Sequence, residues 1–101
     1  MNYKSYHLFE VISNKTRWKI ISTLYKSEKC VKEICKDIKE EQSKVSHNLK
    51  ILSNCKIVFY KREGKYKTYS LNKKTIIPII EITEKHIDNF CKKEGCKFKK
   101  D

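Results

Sequence analysis

The sequence predicts a mainly α-helical fold with one β-hairpin, in the order α-α-α-α-β-β-α. Three observations predict it. Apolar residues recur at helical spacing in successive segments of the first half of the chain, two β-branched and aromatic runs flank Glu63-Gly64-Lys65, and an isoleucine-rich segment follows them. A chain of 101 residues is about the size of one small domain, so we expect one core for residues 1–101.

The first two predicted helices run from Tyr6 to Ile12 and from Thr16 to Ser27. Ser13-Asn14, between them, offers the residue types that cap a helix N-terminus. Each helix has apolar residues at helical spacing and hence a face to bury: Leu8, Phe9 and Ile12 in the first, and Trp18, Ile21, Leu24 and Tyr25 in the second.

The third and fourth predicted helices are short and amphipathic. The third runs from Val31 to Lys39, and after the polar turn 40–42 the fourth runs from Ser43 to Ser53. The fourth buries Val45, Leu49 and Leu52. Its opposite face is polar and basic, and consists of Ser43, Ser46, His47 and Lys50.

The hairpin pairs Ile57–Arg62 with Tyr66–Leu71, and basic residues surround its tip: Lys61, Arg62, Lys65 and Lys67. The last helix is expected from Thr75 to Cys91, with Pro78 in its first turn, where a missing N–H costs little. This helix is apolar on more than one side. We therefore expect a homodimer formed through the terminal helices.

The charge balance predicts an anionic partner. There are 24 Lys and Arg residues against 12 Asp and Glu, a formal net charge of +12, which favours nucleic acid. No run approaches the roughly 20 apolar residues of a membrane span, and Met1 to Glu10 lacks a signal-peptide pattern, so we expect a cytoplasmic protein without a membrane partner. The sequence has no phosphate-loop glycines and no nucleophile site, so we do not expect an enzyme.

The predicted elements form a winged helix-turn-helix. This motif consists of two helices joined by a tight turn, of which the second has a polar basic face, and of the basic hairpin that follows them. This arrangement suits double-stranded DNA, because the fourth helix fits the major groove while the hairpin contacts the neighbouring backbone. The pattern therefore predicts a sequence-specific DNA-binding transcription regulator. The alternatives are an architectural or RNA-binding protein and a protein-interaction module that uses the same fold.

At these residues the chain resembles the ArsR/SmtB family of winged-helix repressors, from about Leu8 to Phe90. The resemblance is carried by Asn-Lys-Thr-Arg-Trp-Lys-Ile-Ile at 14–21, by residues 42–52, and by Arg62-Glu63-Gly64-Lys65 with Tyr69-Ser70-Leu71. The family usually has Ser-x-His-Leu in its recognition helix. Here the order is Ser46-His47-Asn48-Leu49, so the preferred bases do not follow from the family.

The candidate DNA contacts divide by role. Those expected at bases or nearby phosphates are Gln42, Ser43, Lys44, Ser46 and His47, and those expected at phosphates are Lys50, Arg62, Lys65 and Lys67. Two alternatives stay open. Ser43 could serve only as the N-cap of the fourth helix, and the lysines could form only a solvated face.

The five cysteines are Cys30, Cys35, Cys55, Cys91 and Cys96, an odd number that argues against a complete disulfide framework. Arsenic and cadmium sensors of the family carry Cys-Val-Cys-Asp-Leu-Cys at the start of the third helix. The matching stretch here, 30–35, keeps the outer two cysteines and has Lys32 in the middle.

The resemblance thus implies a soft-metal site that includes Cys30 and Cys35. Gly95 allows the chain to reverse after the last helix, so we expect Cys91 and Cys96 to supply the missing thiolates across the dimer. Its ligand would be As(III), Cd(II) or Zn(II), acting as an inducer that releases DNA. Three alternatives remain: Cys35 and Cys55 are core residues, the thiols form a redox dithiol switch, or the protein senses no small molecule.

Overall fold

The computed structural model describes residues 3–91. In order along the chain, its elements are α1 (Tyr3–Ile12), α2 (Lys15–Lys26), β1 (Lys29–Cys30), α3 (Val31–Ile38), α4 (Gln42–Asn54), β2 (Val58–Glu63), β3 (Tyr66–Leu71), α5 (Ile76–His86) and a closing π-helical segment (Ile87–Cys91). The predicted fold class, a winged helix-turn-helix, is confirmed. No helix formed by these residues is both long and apolar enough to cross a membrane.

The expected cap between the first two helices is confirmed. Asn14 has extended backbone angles, and its side-chain oxygen accepts a hydrogen bond from the backbone N–H of Arg17 at 3.0 Å. This bond satisfies one of the amides that an α-helix leaves unpaired at its start. As a result α2 begins one residue earlier than the sequence predicted, at Lys15, while α1 begins three residues earlier, at Tyr3.

The core lies where α2, α3 and α4 meet the base of the sheet. Its fully buried side chains are Ile20, Ile21, Ile34, Val45, Leu49, Leu52, Ile57 and Val58. Lys39 makes the turn between α3 and α4 with a left-handed φ of 57°, and its N–H bonds the Cys35 carbonyl. The three central helices are therefore held at a fixed angle by shared apolar contacts and a tight turn.

The sheet has a third strand that the sequence did not predict. β1 pairs antiparallel with β3, with Lys29 opposite Tyr69 and Cys30 opposite Thr68, which gives the strand order β1-β3-β2. Two residues are too few to show a strand periodicity, so no sequence pattern marks β1. It ties the start of α3 to the hairpin.

The expected helix from Thr75 to Cys91 is corrected to two parts. Asn72 accepts hydrogen bonds from the N–H groups of Lys74 and Thr75 just before α5 begins, and Pro78 is the third residue of the helix. The α-helix ends at His86, and residues 87–91 continue it with the wider π geometry.

Candidate nucleic-acid interface

The outer face of α4 carries the polar residues that the sequence singled out. Ser43, Ser46, His47 and Lys50 are exposed, whereas Val45, Leu49 and Leu52 on the opposite side are buried. Because these three apolar residues are packed in the core, they fix the rotation of α4 about its axis. The structure therefore places these four polar side chains together on one surface.

The start of α4 is less basic than the sequence suggested. Its N-cap is Glu41, not Ser43, and the Ser43 hydroxyl donates to the Glu41 carboxylate at 3.3 Å. The Lys44 ammonium lies 3.3 Å from the Glu40 carboxylate, which is also 3.8 Å from Lys19. Gln42 and Lys44 are exposed, but the negative charge of Glu40 partly offsets the positive charge of Lys44.

The wing, defined as the β2–β3 hairpin, extends its basic tip away from the core. Gly64 and Lys65 form a two-residue turn in which Gly64 has a φ of 63°, and Arg62 pairs with Lys67 across the strands. Arg62 and Lys65 are exposed, while the root of the wing is fixed by buried Val58 and Tyr69. The cations at the tip are therefore carried by a hairpin whose root is packed against the core.

Lys67 differs from the other wing cations because it rests on an aromatic ring. Its ammonium lies 4.6 Å from the centre of the Tyr60 ring, and Tyr60 in turn packs on Tyr69 with ring centres 5.5 Å apart. A cation over an aromatic face is attracted by the negative charge of the ring's π-system. The charge of Lys67 is thus held in one place without an acidic partner at the ring.

Two grooves flank Lys67. One of about 480 Å³ separates α4 from the sheet and is lined by Ser46, Lys50 and Tyr60 among others. The other, about 330 Å³, lies between the start of α3 and the wing, and brings together Lys32, Gln42, Arg62, Lys65 and Lys67. Lys32 and Tyr60 also belong to this surface, and no sequence pattern marks them, since only folding brings α3 and β2 to the recognition helix.

The cysteines are distributed over several elements. Cys30 is the N-cap of α3, and its N–H donates to the Glu33 carboxylate at 2.9 Å, which lowers the pKa of Glu33. Cys35 and Cys55 are half-buried and pack against the core, and burial raises the pKa of the Cys35 thiol. Cys91 is half-buried at the end of the π segment, and Cys96 lies outside the described residues.

Among residues 3–91 no three His, Cys, Asp or Glu side chains come together as a metal site. The thiolate chemistry of Cys30 and Cys35 suits a soft metal, but two thiols from one helix do not complete a site. Further ligands would have to come from a second copy or from Cys96.

The chain matches a known family over its helix-turn-helix segment and the first half of strand β2. Residues 14–60 fit the family described as bacterial regulatory protein, arsR family. This chain belongs to the ArsR family. The matched segment contains α2, α3 and α4, and therefore includes the positions that form the polar face of α4.

Two relatives and one solved structure extend the comparison. The ArsR-family chain is 33% identical over 75 residues to a cadmium resistance transcriptional regulatory protein CadC homolog of Staphylococcus aureus, covering 73% of this chain and 62% of the relative. It is 35% identical over 63 residues to a transcriptional repressor SmtB homolog of Synechocystis, covering 62% of this chain and 48% of the relative. The chain therefore spans about half to three-fifths of these relatives. These proteins are regulators, not enzymes.

The fold matches the homodimeric winged helix-turn-helix DNA-binding domain of Mb0332 from Mycobacterium bovis. The TM-score is 0.73 at 19% identity, covering 88% of this chain and 89% of the other. At that identity the match establishes the fold alone.

Proposed function

We propose that this ArsR-family chain is a transcriptional repressor that binds a specific double-stranded DNA sequence. The observation that carries the proposal is the joint exposure of Ser46, His47 and Lys50 on α4 beside the basic wing. In this arrangement α4 enters the major groove, and Arg62, Lys65 and Lys67 contact the backbone next to it. The two relatives, a transcriptional regulatory protein homolog and a transcriptional repressor homolog, agree with this function.

Selection of bound sequences from a random duplex pool tests the proposal. We expect enrichment of one short pseudo-palindrome at physiological salt. Uniform coating of all duplexes would instead indicate an architectural protein, and preference for RNA would exclude the proposed role.

Two substitutions separate base reading from phosphate binding. His47→Ala should change the preference among sequences, whereas Lys65→Ala should weaken binding to all sequences alike. Fluorescence anisotropy with the selected duplex and a scrambled one measures both. Equal losses on the two duplexes for His47→Ala would contradict a base-reading role of His47.

We also propose that the chain acts as a homodimer through α1, α5 and the π segment. Ile82 and Phe90 are 66% and 70% exposed, and the exposed rings of Tyr3, Tyr6 and Phe9 lie on α1. Between α1 and α5 runs an apolar groove of about 660 Å³, lined by Phe9, Trp18 and Ile79 among others. Large apolar side chains left in water favour association with a second copy.

Sedimentation equilibrium tests the dimer. The wild type should sediment as a dimer, and Ile82→Glu should sediment as a folded monomer with weaker DNA binding, since it places a charge in the apolar interface. Tyr66→Glu, an equally exposed aromatic position on the wing, serves as the control that keeps the dimer. A wild-type monomer at micromolar concentration would exclude the proposed assembly.

A second candidate function is induction by a soft metal or metalloid, As(III), Cd(II) or Zn(II). It rests on Cys30 and Cys35 at the start of α3, with Cys91 and Cys96 as ligands from the end of the chain, and on the similarity to a cadmium resistance regulator. When bound, such a metal would favour a dimer state with lower DNA affinity.

Titration of the reduced protein with Cd(II) or As(III) tests the second candidate. The wild type should bind metal stoichiometrically and release DNA, Cys30→Ser should lose both effects, and Cys55→Ser should lose neither. DNA affinity unchanged by metal but abolished by a thiol oxidant would favour the dithiol alternative.

A further inference from the structure

A half-buried arginine connects three helices of the DNA-binding unit. The Arg17 side chain, on α2, donates from Nε to the Val11 carbonyl at 2.6 Å and from Nη1 to the Asn48 side-chain oxygen at 3.1 Å. The Asn48 amide in turn donates to the Lys44 carbonyl at 2.9 Å. Val11 belongs to the last turn of α1, and Asn48 and Lys44 belong to α4. A continuous chain of hydrogen bonds thus joins α1 to the recognition helix.

The groups at both ends of this connection, the Val11 carbonyl and the Asn48 amide, require hydrogen-bond partners from outside their own positions in the helix. The Val11 carbonyl is among the last four of α1, and these carbonyls have no N–H partner within the helix. Asn48 is only 7% exposed, on the face of α4 that otherwise buries Val45, Leu49 and Leu52. A buried amide needs hydrogen-bond partners, and an apolar residue would satisfy the packing at this position more simply. The polar choice therefore serves the contact with Arg17.

The chemistry of arginine suits this task better than that of lysine. The guanidinium is planar, so its Nε–H and Nη–H groups point in fixed directions relative to each other. One N–H group binds an acceptor on α1 and the other binds an acceptor on α4, so the guanidinium plane sets the distance and angle between the two helices. The lysine ammonium rotates freely on a flexible stem, so it does not set the direction between two acceptors as the planar guanidinium does.

We propose that Arg17 and Asn48 are positioning residues that fix α4 relative to α1, and thereby fix the separation of the two recognition helices in the DNA-bound dimer. This inference rests on the proposed function, because α1 lies on the proposed dimer face and α4 is the proposed reading helix. A dimeric helix-turn-helix protein must place its two recognition helices about one turn of DNA apart, roughly 34 Å. A change in the angle between α1 and α4 is carried directly into that separation.

The test compares one selected operator with a copy that has one base pair inserted at its centre. The wild type should strongly prefer the original spacing. Arg17→Ala, Arg17→Lys and Asn48→Ala should each bind the original operator roughly tenfold more weakly, and should discriminate less between the two spacings. Affinity for random DNA should stay within about twofold, since the phosphate-binding cations are retained.

Two controls separate positioning from stability. Lys26→Ala removes a positive charge from the exposed end of α2 and should leave the spacing preference unchanged. The double variant Arg17→Ala/Asn48→Ala should lose no more affinity than the worse single variant, because both remove the same contact. Unfolding midpoints confirm that each variant is folded at the temperature of the assay, and Asn48→Ala, which keeps the Arg17 bond to the Val11 carbonyl, covers the case in which Arg17→Ala does not fold.

The outcomes distinguish this inference from the proposed function. Variants that keep the wild-type affinity and spacing preference would overturn the positioning role alone. Equal losses on operator and random DNA, or additive losses in the double variant, would also overturn it. A wild type without any sequence preference would overturn the proposed function and the positioning role together.

Discussion

At the scale of single residues, the aromatic support of Lys67 distinguishes it from the other cations of the wing. A lysine on an exposed strand normally samples many rotamers, and ordering it on DNA costs conformational entropy. The Tyr60 ring, 4.6 Å from the ammonium, restricts that freedom before DNA is present. Lys67 is therefore a pre-oriented phosphate contact, whereas Lys65 at the turn has no such ring contact among the described residues.

We expect Tyr60→Leu to weaken binding to specific and random DNA alike, by about two- to fivefold for each protomer of the dimer, because an exposed cation–π contact contributes roughly 0.5–1 kcal/mol. Tyr60→Phe keeps the ring and should bind as the wild type does. Phe59→Leu is the matched control, since Phe59 is the adjacent residue of β2 and both side chains are 46% exposed. Anisotropy titrations at fixed salt measure the effect, and a Tyr60→Leu protein with wild-type affinity would show that the ring does not support Lys67.

At the scale of elements, Lys29 holds the end of α2 against α3. Its ammonium donates to the Thr23 carbonyl at 2.7 Å and to the Ser27 hydroxyl at 2.9 Å, and lies 3.8 Å from the Asp37 carboxylate of α3. Thr23 donates to the same Asp37 carboxylate at 2.7 Å. A cation at the C-terminal end of a helix is favoured by the helix dipole. These contacts of Lys29 and Thr23 with Asp37 hold α2 and α3 together behind the recognition helix.

Lys29→Met should lower the free energy of unfolding by about 1.5–3 kcal/mol, because the side chain is only 12% exposed and its charged hydrogen bonds are lost. Urea unfolding followed by circular dichroism measures the change. Lys15→Met, in the exposed first turn of α2, should change the stability by less than about 0.5 kcal/mol. Equal effects of the two substitutions would mean that Lys29 contributes only its charge.

At the scale of the whole molecule, the net charge of +12 predicts that DNA affinity falls as the salt concentration rises. With Lys50, Arg62, Lys65 and Lys67 as phosphate contacts, a dimer makes about eight such contacts, which predicts a slope near −7 for log K against log salt. Lys65→Ala changes both protomers and should reduce the slope by about 2. Titrations at several salt concentrations check this, and a slope near zero would contradict backbone binding by the wing.

The local elements could be predicted from the sequence because their signals are local. The α4 register follows from the spacing of Val45, Leu49 and Leu52, and the wing follows from two β-branched runs around Gly64. For the same reason the exposed face of α4 was predicted residue by residue. The π segment after His86 and the strand β1 escaped prediction, since neither has a periodicity of its own.

The sequence by itself determined the winged helix-turn-helix, the basic surface and the polar face of α4, because hydrophobic spacing and net charge are properties of the chain. Tertiary structure decided which side chains act together. It brought Arg17 to Asn48, Lys67 to Tyr60 and Lys32 to the wing groove. Such contacts join residues on different elements, and they depend on packing angles that no local pattern in the sequence encodes.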